Sequence, residues 1–221
     1  MVIDKRKTKF RIKKLSQIKT WQLAILLIMA GFVAGAFLRL NNVGMIERRE
    51  AVEDADKSGD VIALSQRLYD LQRYVSAHMN ADPGRIALDH TYKRVYDREL
   101  KNFEEAIKNK SNNDTISKVR AVCDARAQQG GYGRFTTQAD PRYVSCINEE
   151  WSKYPAARTS NIQFEAPSTE PYYHTFVSPA WSADFAGWSL VVAGMILLVI
   201  IVRLVVLGIL KLLLKRRNNP F

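Results

Sequence analysis

Two apolar segments, Trp21 to Leu38 and Gly187 to Leu210, enclose the rest of the chain, and each carries lysine and arginine on its outer flank. A helix rises about 1.5 Å per residue and a hydrocarbon core is about 30 Å thick, so about 20 apolar residues are enough for one crossing. Both segments meet that length. The layout predicts an all-α membrane protein in which two transmembrane helices, residues 21–40 and 187–210, flank an extracytoplasmic antiparallel helical bundle. Basic tails at 1–20 and 211–221 complete the chain.

The net charge of +11 and the pI of about 9.7 would suit a nucleic-acid binder if the charge were spread over a surface. It is not. Lys5, Arg6, Lys7, Lys9, Arg11, Lys13, Lys14 and Lys19 stand against Asp4 alone at one end, and Arg203, Lys211, Lys215, Arg216 and Arg217 stand without an acid at the other. The stretch from 40 to 185 is close to neutral. Basic residues near membrane ends stay cytoplasmic, so both termini are expected inside and the middle domain outside, with the lipid bilayer as a partner and no nucleic acid. The ends also attract anionic headgroups, by about 1 kcal/mol per basic residue.

Ala34-Gly35-Ala36 has the small-x-small form of a signal-peptidase site. Cleavage after Ala36 would leave one span. An uncleaved anchor is expected instead, because the basic stretch before the apolar core is long for a signal and Met45 to Ala55 continues the helix outward. Arg203 lies inside the second segment. With Trp188 at the outer boundary it falls near the inner one, where its stem snorkels to the headgroups. Trp21, Trp181, Trp188, Arg203 and Lys211 are therefore expected at the membrane interface.

The two cysteines, Cys123 and Cys146, both fall in the middle domain. An external domain keeps a disulfide, and closing a loop of about 24 residues stabilises by roughly 3 kcal/mol. The histidines His78, His90 and His174 show no zinc-ligand spacing.

Within residues 41–154 helical stripes recur. Val61, Leu64, Leu68, Leu71, Val75 and His78 form one, after Asp60 as N-cap. Ile86, Leu88, Tyr92, Tyr96, Leu100, Phe103 and Ile107 form the next, after Asp82-Pro83-Gly84. Ile116, Val119 and Cys123 mark a third, ended by Gly130-Gly131, and Asp140-Pro141 opens a last one through Tyr143, Ile147 and Trp151. Residues 155–186 carry Pro155, Pro167, Pro171 and Pro179, which predicts an extended return to the membrane. Its aromatics thicken toward the second span, as in an interfacial belt. The other reading of Tyr172, Tyr173, Phe176 and Trp181 is a partner-binding strip.

Asp54-Ala55-Asp56-Lys57-Ser58-Gly59-Asp60-Val61 resembles the first eight positions of a calcium loop, with oxygen ligands at Asp54, Asp56, Ser58 and Asp60. Ser65 stands where the closing bidentate Glu belongs. A helix corner with Gly59 as stop and Asp60 as cap explains the same residues. Glu104-Glu105 and Glu149-Glu150 are adjacent carboxylates that point about 100° apart on a helix, and no phosphate loop follows a strand. No catalytic residue and no cofactor is expected.

Ala51-Val52, Ala55-Asp56, Gly59-Asp60, Tyr74-Val75, His78-Met79-Asn80, Ser178-Pro179-Ala180-Trp181-Ser182 and Ala186-Gly187-Trp188-Ser189 resemble an uncharacterised family of small two-span membrane proteins from reduced-genome bacteria. The resemblance implies a bacterial, single-membrane setting and an external helical domain; it carries no activity. The short basic ends leave no room for a signalling-output domain. The expected role is an envelope interaction protein, presenting its domain to a membrane or envelope protein, a peptide or a surface polymer, or self-associating. The alternative is a ligand-sensing accessory subunit that signals through a separate membrane partner.

Overall fold

The computed structural model describes residues 19–110, 113–132, 140–160 and 162–218. The basic residues between 5 and 14 and the side chains of Lys215, Arg216 and Arg217, on which some expectations fall, lie outside that description.

The described chain is mostly helical. Helix α1 runs from Thr20 to Ser58 without a break, so the polar stretch from Met45 continues the apolar one as a single helix. It is followed by α2 (Val61–Ala77), β1 (Arg85–Ala87), α3 (Asp89–Lys108), α4 (Asn113–Gln129), α5 (Pro141–Ser152), α6 (Pro155–Ser160), a single 3-10 turn (Glu170–Tyr172), β2 (Tyr173–Thr175) and α7 (Phe185–Asn218). Both α1 and α7 are long and apolar enough to cross a membrane. Gly59, at φ +79°, ends α1 in the left-handed region where a side chain would be strained. Asp60 then accepts the N–H groups of Ile62 and Ala63, both at 3.0 Å, and starts α2.

Two compact units divide these elements: residues 48–71 with 83–176, and residues 19–47 with 72–82 and 177–218. The core of the first is built from the three stripes. Tyr96, Leu100, Phe103 and Ile107 of α3 meet Ile116, Val119 and Cys123 of α4 and Tyr143, Ile147 and Trp151 of α5. Asp140 caps α5 by accepting the Arg142 N–H at 2.9 Å, with Pro141 at the first helical position. Cys123 and Cys146 are bridged, with Cα atoms 5.8 Å apart, and tie α4 to α5 inside this core.

The return segment is only partly extended. Pro155 opens α6 instead of merely ending α5, because proline at a first helical position loses no hydrogen bond. Beyond it, Asn148 of α5 acts as a surrogate strand. Its side chain donates to the Phe164 carbonyl at 2.9 Å and accepts the Phe164 N–H at 2.8 Å, while the Trp151 indole donates to the Ile162 carbonyl at 2.9 Å. The Phe164 ring thereby lies 5.4 Å from Tyr96 and 5.5 Å from Phe103, between centroids.

Within this mostly helical chain a short two-stranded ribbon stands where the second stripe was expected to begin. Ile86 and Leu88 do not open a helix: β1 pairs antiparallel with β2, Arg85 opposite Thr175, Ile86 opposite His174 and Ala87 opposite Tyr173, and the Leu88 N–H donates to the Tyr172 carbonyl at 2.9 Å. Residues two apart lie on opposite sides of a helix but on one face of a strand, so burying both Ile86 and Leu88 requires extended chain. Val61, expected on the buried stripe of α2, is 73% exposed at the helix start.

Removing the bridge should lower stability by roughly 3 kcal/mol through the loop it closes. Thermal melting with and without reductant checks this, and so does the double variant Cys123→Ser with Cys146→Ser. Equal melting temperatures would refute it.

Candidate functional site

In the second unit the best-built polar constellation surrounds the start of α7. The first N–H groups of any helix have no intrahelical partner, and α7 begins with Phe185-Ala186-Gly187, which offer no side-chain acceptor. Asp184 supplies it. One carboxylate oxygen accepts the Gly187 N–H at 2.9 Å and the Ser182 hydroxyl at 2.9 Å; the other accepts the Asn41 amide of α1 at 2.8 Å. The same amide nitrogen donates to the Met79 carbonyl at 3.1 Å, and the Met79 N–H donates to the Ser182 hydroxyl at 3.0 Å, which closes a ring of bonds. Tyr74 donates to the Asn41 carbonyl at 3.2 Å, and the Asn80 amide donates to the Leu38 carbonyl at 3.1 Å.

Apolar contacts surround this ring. Phe37 stacks on Phe185 at 5.4 Å, Trp181 meets Trp188 edge-on at 6.0 Å, and Tyr74 stacks on His78 at 4.1 Å. Gly187 is required by the tight entry, since a Cβ there would overlap the Ser182 carbonyl oxygen. Burial pushes the Asp184 carboxyl up, but the Gly187 N–H, the Asn41 amide, the Ser182 hydroxyl and the nearby His78 together outweigh it and hold it below the usual range. The ring's bonds join side chains to backbone groups and to each other, and the arrangement fixes geometry.

The proposed calcium ligands are not brought together. Asp54 and Ser58 lie on the last turns of α1, where Asp54 pairs with Lys57 at 3.2 Å and the Ser58 hydroxyl donates to the Ala55 carbonyl at 2.9 Å. Asp60 caps α2. Asp56, 2% exposed, caps α3 from a distance in sequence: it accepts the His90 N–H at 2.8 Å, the Thr91 N–H at 2.8 Å and the Thr91 hydroxyl at 2.6 Å. Leu88, the local cap position, has no side chain for the task. These oxygens serve helix ends, as the helix-corner reading has it, and among the described residues no cluster of three or more acidic, histidine or cysteine side chains is placed to hold a metal. Burial and the Asp56 charge raise the Asp89 carboxyl.

The aromatic strip is partly consumed internally. Tyr172 meets Tyr92 edge-on at 5.2 Å, Tyr173 lies under the Arg85 guanidinium at 3.6 Å and Phe176 stacks on His174 at 6.3 Å. These three belong to the unit of residues 48–71 and 83–176, and Trp181 to the other. Trp21, Trp181, Trp188 and Lys211 are exposed. Arg203, expected near the inner boundary, is 8% exposed. Asn41, Ser182 and Asp184 escaped the sequence reading, although an Asp directly before an apolar helix is an N-cap signal.

Compared with known families, curated proteins and solved structures, the chain matches none.

Two expectations follow from these caps. Asp184→Asn sets an amide against the Asn41 amide, costing about 1–3 kcal/mol. The wild-type carboxyl titrates lower folded than at its unfolded value of about 3.9, so its contribution is full above that value and fades as pH falls through the lower one. Melting curves taken on acidification should accordingly fall less steeply for the variant. Asp56→Ala should cost about 1–2 kcal/mol, read as a lower melting temperature with faster amide exchange at His90 and Thr91; unchanged exchange there would count against the cap.

Proposed function

We propose that the chain is a membrane-anchored envelope interaction protein. Helices α1 and α7 cross the bilayer with both termini in the cytoplasm, and the domain between them faces outward and binds a protein, a peptide or a surface polymer. The observation that carries this is a bridged cysteine pair placed between two apolar helices of membrane length, each with basic residues on its outer flank. Disulfides persist in oxidising compartments, and basic flanks are retained inside; the two rules agree on one orientation. The resemblance to small two-span proteins of reduced-genome bacteria belongs to the same proposal.

The role is non-catalytic on this reading. Glu104 pairs with Arg120 at 2.6 Å, and Glu150 pairs with Arg126 and Lys153, each at 2.6 Å. The Lys153 hydrogen bond, with the Lys153 and Arg126 charges, holds the Glu150 carboxyl below its usual range against the effect of burial. Carboxylates committed in this way brace helices. The residues offered to a partner are Tyr172, Tyr173, Phe176 and Trp181, of which Trp181 is 48% exposed.

In-cell crosslinking followed by gentle extraction and mass spectrometry tests the proposal. A stoichiometric partner crosslinked through residues 41–186 is the expected result. Recovery alone, with a small molecule bound, would replace it with the ligand-sensing accessory subunit; recovery only with itself would make self-association the role.

A further inference from the structure

The two sulfurs of the bridge have different surroundings. The Arg126 guanidinium of α4 donates through Nη1 toward the Cys146 sulfur, 3.9 Å away. Its remaining bonds are to α5: Nη2 donates to Glu150 at 2.6 Å, and Nη1 reaches Glu149 at 3.4 Å. These carboxylates follow Cys146 by three and four residues, which places them beside it on α5. Lys153 holds Glu150 as well, at 2.6 Å. Among the described residues no donor reaches the Cys123 sulfur. The charged groups near it on α4 are committed elsewhere, Arg120 to Glu104 of α3 at 2.6 Å and Asp124 to the Tyr143 hydroxyl at 2.7 Å.

Disulfide exchange is a displacement: a thiolate bonds to one sulfur and the other leaves as a thiolate, faster when that thiolate is better stabilised. A guanidinium beside a sulfur favours its thiolate over its thiol. Glu149 and Glu150 offset the net charge of Arg126 but leave its N–H at Cys146. They also tie the guanidinium to the helix that carries Cys146. The long Arg126 stem therefore lets the donor stay with that sulfur while α4 moves off.

We propose that the bridge is a directional redox switch, in which the thiolate of an external thiol attacks Cys123 and Cys146 departs as a thiolate stabilised by Arg126. The new bond joins the attacking sulfur to Cys123, the Cys123–Cys146 bond breaks, and its electron pair stays on Cys146. A second thiolate then displaces Cys123 from the mixed disulfide. Two thiols become one disulfide, and the protons they give up are left for the two cysteines. If Cys146 attacks Cys123 before the second thiolate arrives, the bridge is restored. The element released is α5, whose Asn148 and Trp151 hold the chain at Phe164 and Ile162. This chemistry does not depend on the interaction role proposed above.

The test uses the full oxidised chain in detergent, exposed to reduced glutathione, quenched in acid at intervals, alkylated, and read by peptide mass spectrometry. Early samples of the wild type should carry glutathione on Cys123 and the alkyl group on Cys146, about fivefold over the reverse, since about half of a charge-assisted contact is felt in the transition state. The Arg126 side chain is 43% exposed, so its replacement leaves no buried hole. Arg126→Gln should bring the two adducts near parity and Arg126→Lys should keep part of the preference. Amide exchange at residues 123 and 146 measures helix opening in each variant, and adduct rates are divided by it. After that correction the Cys123 adduct should form about fivefold more slowly in Arg126→Gln. Parity or the reverse order in the wild type, which needs no variant, would overturn the proposal. So would a ratio unchanged in Arg126→Gln, or no adduct at glutathione concentrations that reduce the unfolded chain. A corrected rate that rises at Cys146 and stays constant at Cys123 would make Arg126 only a cover, and would overturn it too.

Discussion

The carboxylate of Asp184 is the point on which the polar architecture at the start of α7 depends. It accepts the Gly187 N–H, which the apolar first turn cannot satisfy from its own side chains, and it grips the Asn41 amide on α1 with its second oxygen. Ser182 and Asn41 are themselves buried, so neither tolerates an unmade bond. That is why the constellation closes through the Met79 backbone rather than ending on open side chains, and why Gly187 must lie against the Ser182 carbonyl. Hydrogen bonds in such a low-dielectric setting are strong when complete and costly when broken.

The other unit is held by different means. Its core packs aromatic rings from α3 and α5, with Phe164, against the aliphatic side of α4, and the bridge crosses that core. The chain that follows α5 has little regular structure of its own. Asn148 and Trp151 give it backbone partners, which lets Phe164 reach the rings of α3.

What could be read from the sequence was local. The stripes through Tyr96, Cys123 and Trp151, and the caps at Asp60 and Asp140, depend on neighbours three or four residues away. The ribbon was missed because Ile86 and Leu88 are too few to separate a period of two from the stripe that follows, and because their partner strand lies beyond α5. Asp56 could be offered only as a candidate ligand or as part of a helix corner for a similar reason: the N-terminus it caps belongs to α3, far along the chain. Asn41 and Asp184 are far apart in sequence, and only the folded chain brings their side chains together.

The position of the bridge has a consequence for how the domain meets its redox surroundings. Both sulfurs belong to side chains buried in the core, and exchange requires a thiolate to reach one of them. A reductant must therefore wait until α4 and α5 separate. If reclosing is faster than attack, the rate of reduction is the fraction of time the pair spends separated multiplied by the intrinsic rate of attack. The bond thus works as a gauge of breathing at this helix pair. Its lifetime in a mild thiol reports the local opening free energy directly, and anything that clamps the two helices together would lengthen it without touching the sulfurs.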